Sequence, residues 1–224
     1  LPGSAADIAE VETRASTREH NRRMPPKPIY VETLIRAELE RVWELTQDTD
    51  AHPRWDLRFS SITPTGTTAD GANRFRYELR IPGHRLAGTG ISLGERRRAD
   101  GTRTSALRFS TPDRLSPLGD GRGYWRYIPT PAGVRFLTGY DYQPRWGVLD
   151  ALGVRRLVGW MTAWSFDRLR IWAETGQPPE TWPLWSVLAV WRPDRPRASR
   201  CLRRPQRGQP MDDSPATLDT LARP

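Results

Sequence analysis

Several residue types are nearly missing from this chain, and each shortage removes a class of function. A single cysteine, Cys201, rules out an intrachain disulfide framework and suits a reducing compartment. With only His20, His52 and His84 beside it, the usual zinc spacings cannot be assembled, so neither a metal nor another cofactor is expected. Lysine occurs once, at Lys27, and the formal charge of +9 therefore rests on arginine. Genome base composition yields such a bias as readily as selection for a polyanionic partner. No apolar run reaches the ~18 residues of a membrane-spanning helix, and the N-terminus lacks the apolar core of a signal peptide. A cytoplasmic protein, with membrane association left open, is the expectation.

Tryptophan, proline and arginine are what the chain has in quantity. Ten Trp and 21 Pro accompany an apolar fraction of only 37%, so part of the chain should lie outside any core. Residues 28–180 are nearly balanced, with 22 basic against 18 acidic groups, whereas Trp191–Arg207 has seven arginines against one aspartate. A division follows. Residues 1–27, polar and closing on a proline-rich stretch, read as a flexible leader. Residues 28–180 read as a folded ligand-binding domain, and residues 181–224 as a Trp/Arg/Pro-rich, largely irregular tail.

Gly147–Gly176 holds the longest helical pattern. Val154, Leu157, Val158, Trp160, Met161, Trp164, Ile171 and Trp172 share one broad side; Arg155, Gly159, Thr162, Ala163, Arg170 and Ala173 share the other. Gly176, with Pro178 and Pro179 behind it, ends the pattern. About 30 residues make a rod of roughly 45 Å. Ahead of it, Ile29–Ile35 reads as a strand and Ala37–Gln47 switches to helical spacing. Asp48–Trp55 has turn chemistry with a second short helix, and a strand resumes at Leu57–Ile62. A meander follows: Arg74–Arg80, Leu86–Arg96, Arg103–Ser110, Tyr124–Ile128 and Val134–Tyr142. Asp70-Gly71, Asp100-Gly101, Asp120-Gly121 and Pro131-Ala132-Gly133 supply the turns. Apolar residues alternate with charged ones in each segment, as in a sheet covered on one side. Aromatic side chains on both the sheet and the rod hold the two surfaces apart and leave an apolar cavity.

The layout resembles the helix-grip fold of the START and polyketide-cyclase superfamily (SRPBCC). Ile35, Ala37, Val42, Trp43, Leu45 and Asp48, then Trp55-Asp56, carry the resemblance, with the amphipathic helix at a matching distance, over about residues 28–176. Glu38 stands where a proline often follows the alanine. The resemblance implies an α+β fold: a curved antiparallel seven-stranded sheet wrapped around a long C-terminal helix, with two short helices after the first strand. It also implies a cavity for a lipid-like, polyketide-like or other apolar small molecule. It identifies no catalytic residue.

The expected lining is Phe75, Tyr77, Phe109, Trp125, Tyr127, Tyr140, Tyr142, Trp160, Met161 and Trp164. Arg168, in the middle of the apolar stripe, is the candidate anchor for a ligand carboxylate, phosphate or enolate. Against this stand plainer readings: Arg168 snorkels past the sheet edge or pairs with Asp141, and the aromatics are ordinary core. Asp150 is expected to be exposed at the positive end of the helix. His52 and Asp56 have the chemistry of a base and its orienter, but their place at a helix-to-strand junction argues for the surface. Gly88-Thr89-Gly90 with Gly94 mimics a phosphate loop without opening a helix, so these glycines are expected to let a strand bend. Cys201 lies between Arg200 and Arg203, which favours the thiolate, but no His or Asn pattern surrounds it.

Noncatalytic binding of an apolar small molecule is the first functional reading. A cyclase or dehydratase acting on a polyketide-like substrate is the second, and needs two titratable groups facing each other in the cavity. The third works through the tail. Residues 182–207 combine a Trp-rich segment with an Arg/Pro run, suited to contact with an anionic membrane; nucleic acid is the least favoured partner. This third reading expects removal of residues 181–224 to leave the folded body intact.

Overall fold

The computed structural model describes residues 28–94 and 98–224. The leader expected over residues 1–27 lies outside the described residues, as do residues 95–97 of the charged hairpin. The chain forms β1 (Ile29–Ile35), α1 (Leu39–Gln47) and α2 (His52–Trp55). Six strands follow: β2 (Ser61–Thr67), β3 (Asn73–Ile81), β4 (His84–Gly94), β5 (Arg103–Ser110), β6 (Leu118–Thr130) and β7 (Gly133–Pro144). All seven strands make one antiparallel sheet in the order β1-β7-β6-β5-β4-β3-β2. A π-helical turn, Asp150–Val154, then leads into α3 (Arg155–Thr175), which stops at Gly176 in the left-handed region with φ 74°. A sheet gripping one long helix, with two short helices after the first strand, is the helix-grip arrangement.

Local chemistry explains the meander. Gly71, Gly101 and Gly133 all take positive φ at the expected turns, which side-chain-bearing residues resist. On the concave face, Tyr127, Phe136 and Tyr140 meet Trp55, Trp164, Phe166 and Leu169 in the main core. The Phe136 and Phe166 rings stack with centroids 4.5 Å apart, fixing the middle of α3 on β7.

Departures from the expected layout have local causes. β2 starts at Ser61 rather than Leu57, because Asp56 holds the intervening residues in a bend. Its carboxylate accepts from the Arg58 backbone N–H at 3.0 Å and its carbonyl from Phe59 at 3.1 Å. Asp120-Gly121 is no turn; both residues lie inside β6, where the register shifts between Leu118 and Gly121. Gly121 serves the Phe109 ring instead, since a Cβ there would stand 2.0 Å from Phe109 Cζ. Helical backbone begins at Val148, directly after Gly147 as expected, but the Asp150 carboxylate is buried, not exposed. It accepts hydrogen bonds from the Tyr142 hydroxyl and from Arg155 Nε.

The second side of α3 is not turned to solvent either: Thr162 and Ala163 are fully buried. Residues beyond 176 cover them. Trp182, Ala198 and Cys201 join the main core, and the Cys201 thiol donates to the Ala163 carbonyl at 3.2 Å. Leu202 and Glu32 of β1 exchange two backbone hydrogen bonds of 2.9 Å. The chain then crosses the convex face of the sheet. There Met211 packs on Tyr30, Tyr124 and Leu137, while Leu218 and Leu221 close over Ala72, Ile91 and Ala106. The convex face carries the charges the alternation requires, but they grip this crossing segment. Arg108 donates to the Leu218 carbonyl at 3.0 Å, Arg122 pairs with Asp219 at 3.0 Å, and Arg126 pairs with Asp213.

A candidate cavity under the start of the long helix

The cavity begins with a pairing of large and absent side chains. Phe75 and Tyr77 of β3 stand opposite Gly90 and Gly88 of β4. A Cβ at Gly88 would lie 2.4 Å from Tyr77 Cζ, and one at Gly90 would lie 2.3 Å from Phe75 Cζ. The glycines are therefore occupied with these rings and form no phosphate cradle. They let two rings lie across the neighbouring strand, and rings that lie down leave the space above them open.

Over that space runs the beginning of the helix, with Val154, Leu157, Val158 and Met161 facing down. The hollow between measures about 310 Å³ and is walled mainly by carbon, including Leu86, Leu107 and Phe109. That is at the small end of the ~300–1,000 Å³ range of ligand sites. A second compartment of about 570 Å³ lies between α1, α2 and strands β2 to β5, with Gln47, His52, Asn73 and Arg74 in its walls. Phe59, Phe75, Leu107 and Trp125 belong to both, so these four side chains form the partition.

A charged cluster sits beside the partition. Asp56 is fully buried; its Oδ1 accepts from Arg58 Nε at 2.9 Å and its Oδ2 from Arg58 Nη2 at 2.6 Å, while His52 Nε2 lies 3.2 Å from the same Oδ2. Arg58 faces the first compartment, with its guanidinium 5.4 Å from the Tyr140 ring centre; His52 faces the second. Burial alone would raise the Asp56 carboxyl, but Arg58 and His52 outweigh it and hold the group far below the ordinary carboxylate range. Burial also lowers His52, against the pull of Asp56, so the imidazole is neutral near pH 7. His52 is further enclosed by rings, stacking on Trp55 at 4.8 Å and meeting Phe59 edge-on at 5.0 Å. The surface position expected for His52 and Asp56 is thus corrected: the two are buried because Arg58 neutralises the carboxylate and aromatics enclose the imidazole.

The cavity hydroxyls are engaged as well. Tyr140 shares a 2.7 Å hydrogen bond with Thr162, and the Tyr77 hydroxyl donates to the Ser110 carbonyl at 3.3 Å. Burial raises both phenols, Tyr77 to about 12, so neither ionises at neutral pH.

Of the residues expected to line the cavity, Phe75, Tyr77, Phe109, Trp125, Tyr140 and Met161 do so. Tyr127 lies instead beneath α1, with its hydroxyl held by Thr46 at 2.7 Å and Gln47 at 2.9 Å. Tyr142 is tied to Asp150, and the half-buried Trp160 stacks at 6.5 Å on Trp164, which is packed in the core. Arg168 does not line the hollow. Its Nε and Nη2 donate to the Pro179 carbonyl at 2.9 and 2.8 Å, and burial pushes its guanidinium down to about 10. The hollow underlies only the first turns of the helix, and Arg168 lies beyond it, where the tail begins. Arg58 and Phe59 are among the lining residues outside the expected set. Their available signal was position, directly behind the Trp55-Asp56 pair.

No family model matches the chain. A Bacillus subtilis (strain 168) protein described as "Uncharacterized membrane protein YndG" is 39% identical over 174 residues, covering 75% of this chain and 65% of the relative. The chain thus spans somewhat less than two thirds of the curated relative it matches. Among solved structures, the di-domain ARO/CYC StfQ from the steffimycin biosynthetic pathway superposes with a TM-score of 0.54 at 15% identity, over 78% of this chain and 62% of that one. Zhui aromatase/cyclase from Streptomyces sp. R1128 gives a TM-score of 0.48 at 14% identity, over 68% of this chain and 98% of the other. At such identities the likeness to StfQ shows the helix-grip fold and nothing of the chemistry. No helix among the described residues is long and apolar enough to cross a membrane.

Proposed function

We propose that this protein binds an apolar small molecule in the cavity between β3 to β7 and the start of α3. One observation carries the reading: the hollow is walled by carbon, and the cation in its wall, Arg58, is already neutralised by Asp56. With the Tyr77 and Tyr140 hydroxyls also engaged, the site favours a carbon-rich ligand with few polar groups. A volume of about 310 Å³ suits a small ring system or a single acyl chain better than a whole diacyl lipid. Turnover has less support, because His52 and Arg58 face different compartments and share one carboxylate instead of converging on a common point. The fold held in common with the ARO/CYC protein supports a ligand-binding architecture without naming a ligand.

Titration with the fluorescent probe anilinonaphthalene sulfonate tests the reading. Met161→Trp places a larger side chain over the hollow, and probe affinity should fall at least tenfold (about 1.4 kcal/mol) while the melting temperature changes little. Probe binding that the substitution leaves unaltered would remove the cavity from the account. Native mass spectrometry of protein purified from its own host then identifies the retained molecule.

A further inference from the structure

The segment that leads into the long helix has its polarity inside out. In Gly147-Val-Leu-Asp-Ala-Leu-Gly153 the one charged side chain, Asp150, is buried, whereas Val148, Leu149 and Leu152 are 62, 57 and 66% exposed. Burying the carboxylate against Tyr142 and Arg155 rotates the apolar residues outward. Three more exposed apolar side chains, Leu115, Trp146 and Leu157, belong to the same end of the molecule. The loop bearing Leu115 is held to this segment by Arg145, whose backbone N–H donates to the Pro117 carbonyl at 3.0 Å and whose guanidinium donates to the Asp113 carbonyl at 2.7 Å. Trp146 and Leu157 also line the apolar cavity, so the patch is the rim of its mouth.

Single exposed apolar residues are ordinary, but a group of them around the opening of an apolar hollow is not. We infer that this rim docks on the surface of an anionic lipid bilayer, and that the cavity takes its ligand from, or delivers it to, that bilayer. The charge around the patch fits this occupant. Arg114, Arg145 and Arg156 are exposed beside it, while Asp113 is paired with His84 at 2.7 Å and Asp150 is buried. Apolar side chains flanked by arginines form the interfacial pattern that inserts shallowly between anionic headgroups. Membrane docking stands on the rim alone; passage of a ligand through it rests on the apolar-ligand reading.

The test uses the full chain and vesicles of phosphatidylcholine, with or without an equal part of phosphatidylglycerol. Flotation should show binding to the anionic vesicles that weakens as salt is raised, and hydrogen exchange should slow in residues 146–153 when vesicles are added. Leu149→Asp with Leu152→Asp, both at exposed positions, should lower vesicle partition at least tenfold. The same variant should leave the melting temperature and anilinonaphthalene sulfonate binding unchanged. Trp185→Ser with Trp191→Ser alters the exposed apolar patch of the tail and serves as the comparison. The inference is overturned if the rim variant floats like wild type, if only the tail variant loses binding, or if vesicles without phosphatidylglycerol bind equally well. It is also overturned if the rim proves to join two copies of this chain, seen as a concentration-dependent dimer that the rim variant abolishes. Loss of probe binding in every form, with vesicle docking intact, would remove the ligand reading and leave the docking surface standing.

Discussion

His52, at the start of a four-residue helix, and Asp56 and Arg58, just past its end, bring three titratable side chains together, and all three depend on burial for their behaviour. His52 has its affinity for protons lowered by the fold, so between its ordinary value of 6.5 and its folded value the unfolded chain holds the extra proton. Stability therefore rises with pH across that window and is lost as pH falls through it. Asp56 is likewise depressed from 3.8, so its contribution is present above that value and disappears in stronger acid. The melting temperature of wild type should fall between about pH 7 and about pH 5, and that of His52→Gln should fall less over the same interval. Both proteins should lose stability together below about pH 4, where Asp56 begins to protonate in the unfolded chain. Identical slopes for the two proteins from pH 7 to 5 would show that His52 is not the group responsible. The sequence made this cluster hard to see. HPRWD reads as surface chemistry because burial of Asp56 depends on Arg58, two residues beyond the motif, and on rings from β6.

At the scale of the element, the long helix was legible because its apolar spacing is regular and its stop signal is chemical: a glycine that takes the left-handed conformation. The meander was legible for the same reason, through turn glycines and alternation. Depth along the helix was not, because periodicity reports a side and not what covers it. Met161, Trp164 and Arg168 share a stripe, yet Met161 overlooks a cavity, Trp164 is packed solid and Arg168 binds the Pro179 carbonyl. Asp167 shows what the helix meets away from the sheet. It is fully buried, accepting from Arg170 Nε at 2.7 Å, the Arg197 N–H at 2.7 Å and Arg200 Nη1 at 3.0 Å. Cys201 reports on this contact, since burial pushes its thiol up to about 12 and a reagent reaches it only when the tail lifts. Asp167→Asn weakens hydrogen bonds to a charged group, at about 2 kcal/mol, so labelling of Cys201 should quicken roughly 30-fold. Unchanged labelling in the variant would mean that Asp167 does not hold the tail.

The whole molecule is a sheet covered on both faces by one chain, and the last 44 residues supply much of the second cover. Composition pointed toward a loose tail: many prolines, seven arginines in a short run and little helical pattern. What composition cannot reveal is that Trp182, Ala198 and Cys201 complete the core behind α3, or that Leu218 and Leu221 close a second cluster on the convex face. Removing residues 181–224 would uncover Ala72, Ile91 and Ala106, open the backbone of β1 at Glu32, and strip Asp167 of Arg197 and Arg200. Loss of one buried tryptophan alone costs about 3–5 kcal/mol, which for a chain of this length lowers the melting temperature by roughly 10 °C. The remaining losses add to it, and a newly opened strand edge invites self-association. A chain ending at Glu180 should therefore fail to melt cooperatively near the full-length temperature and should aggregate. One ending at Arg207, which keeps Trp182 and Cys201 but loses the convex-face segment, should melt between the two. Thermal melts monitored by near-ultraviolet circular dichroism separate these outcomes. A cooperative melt of the shortest chain within a few degrees of full length would return residues 181–224 to the status of an appendage.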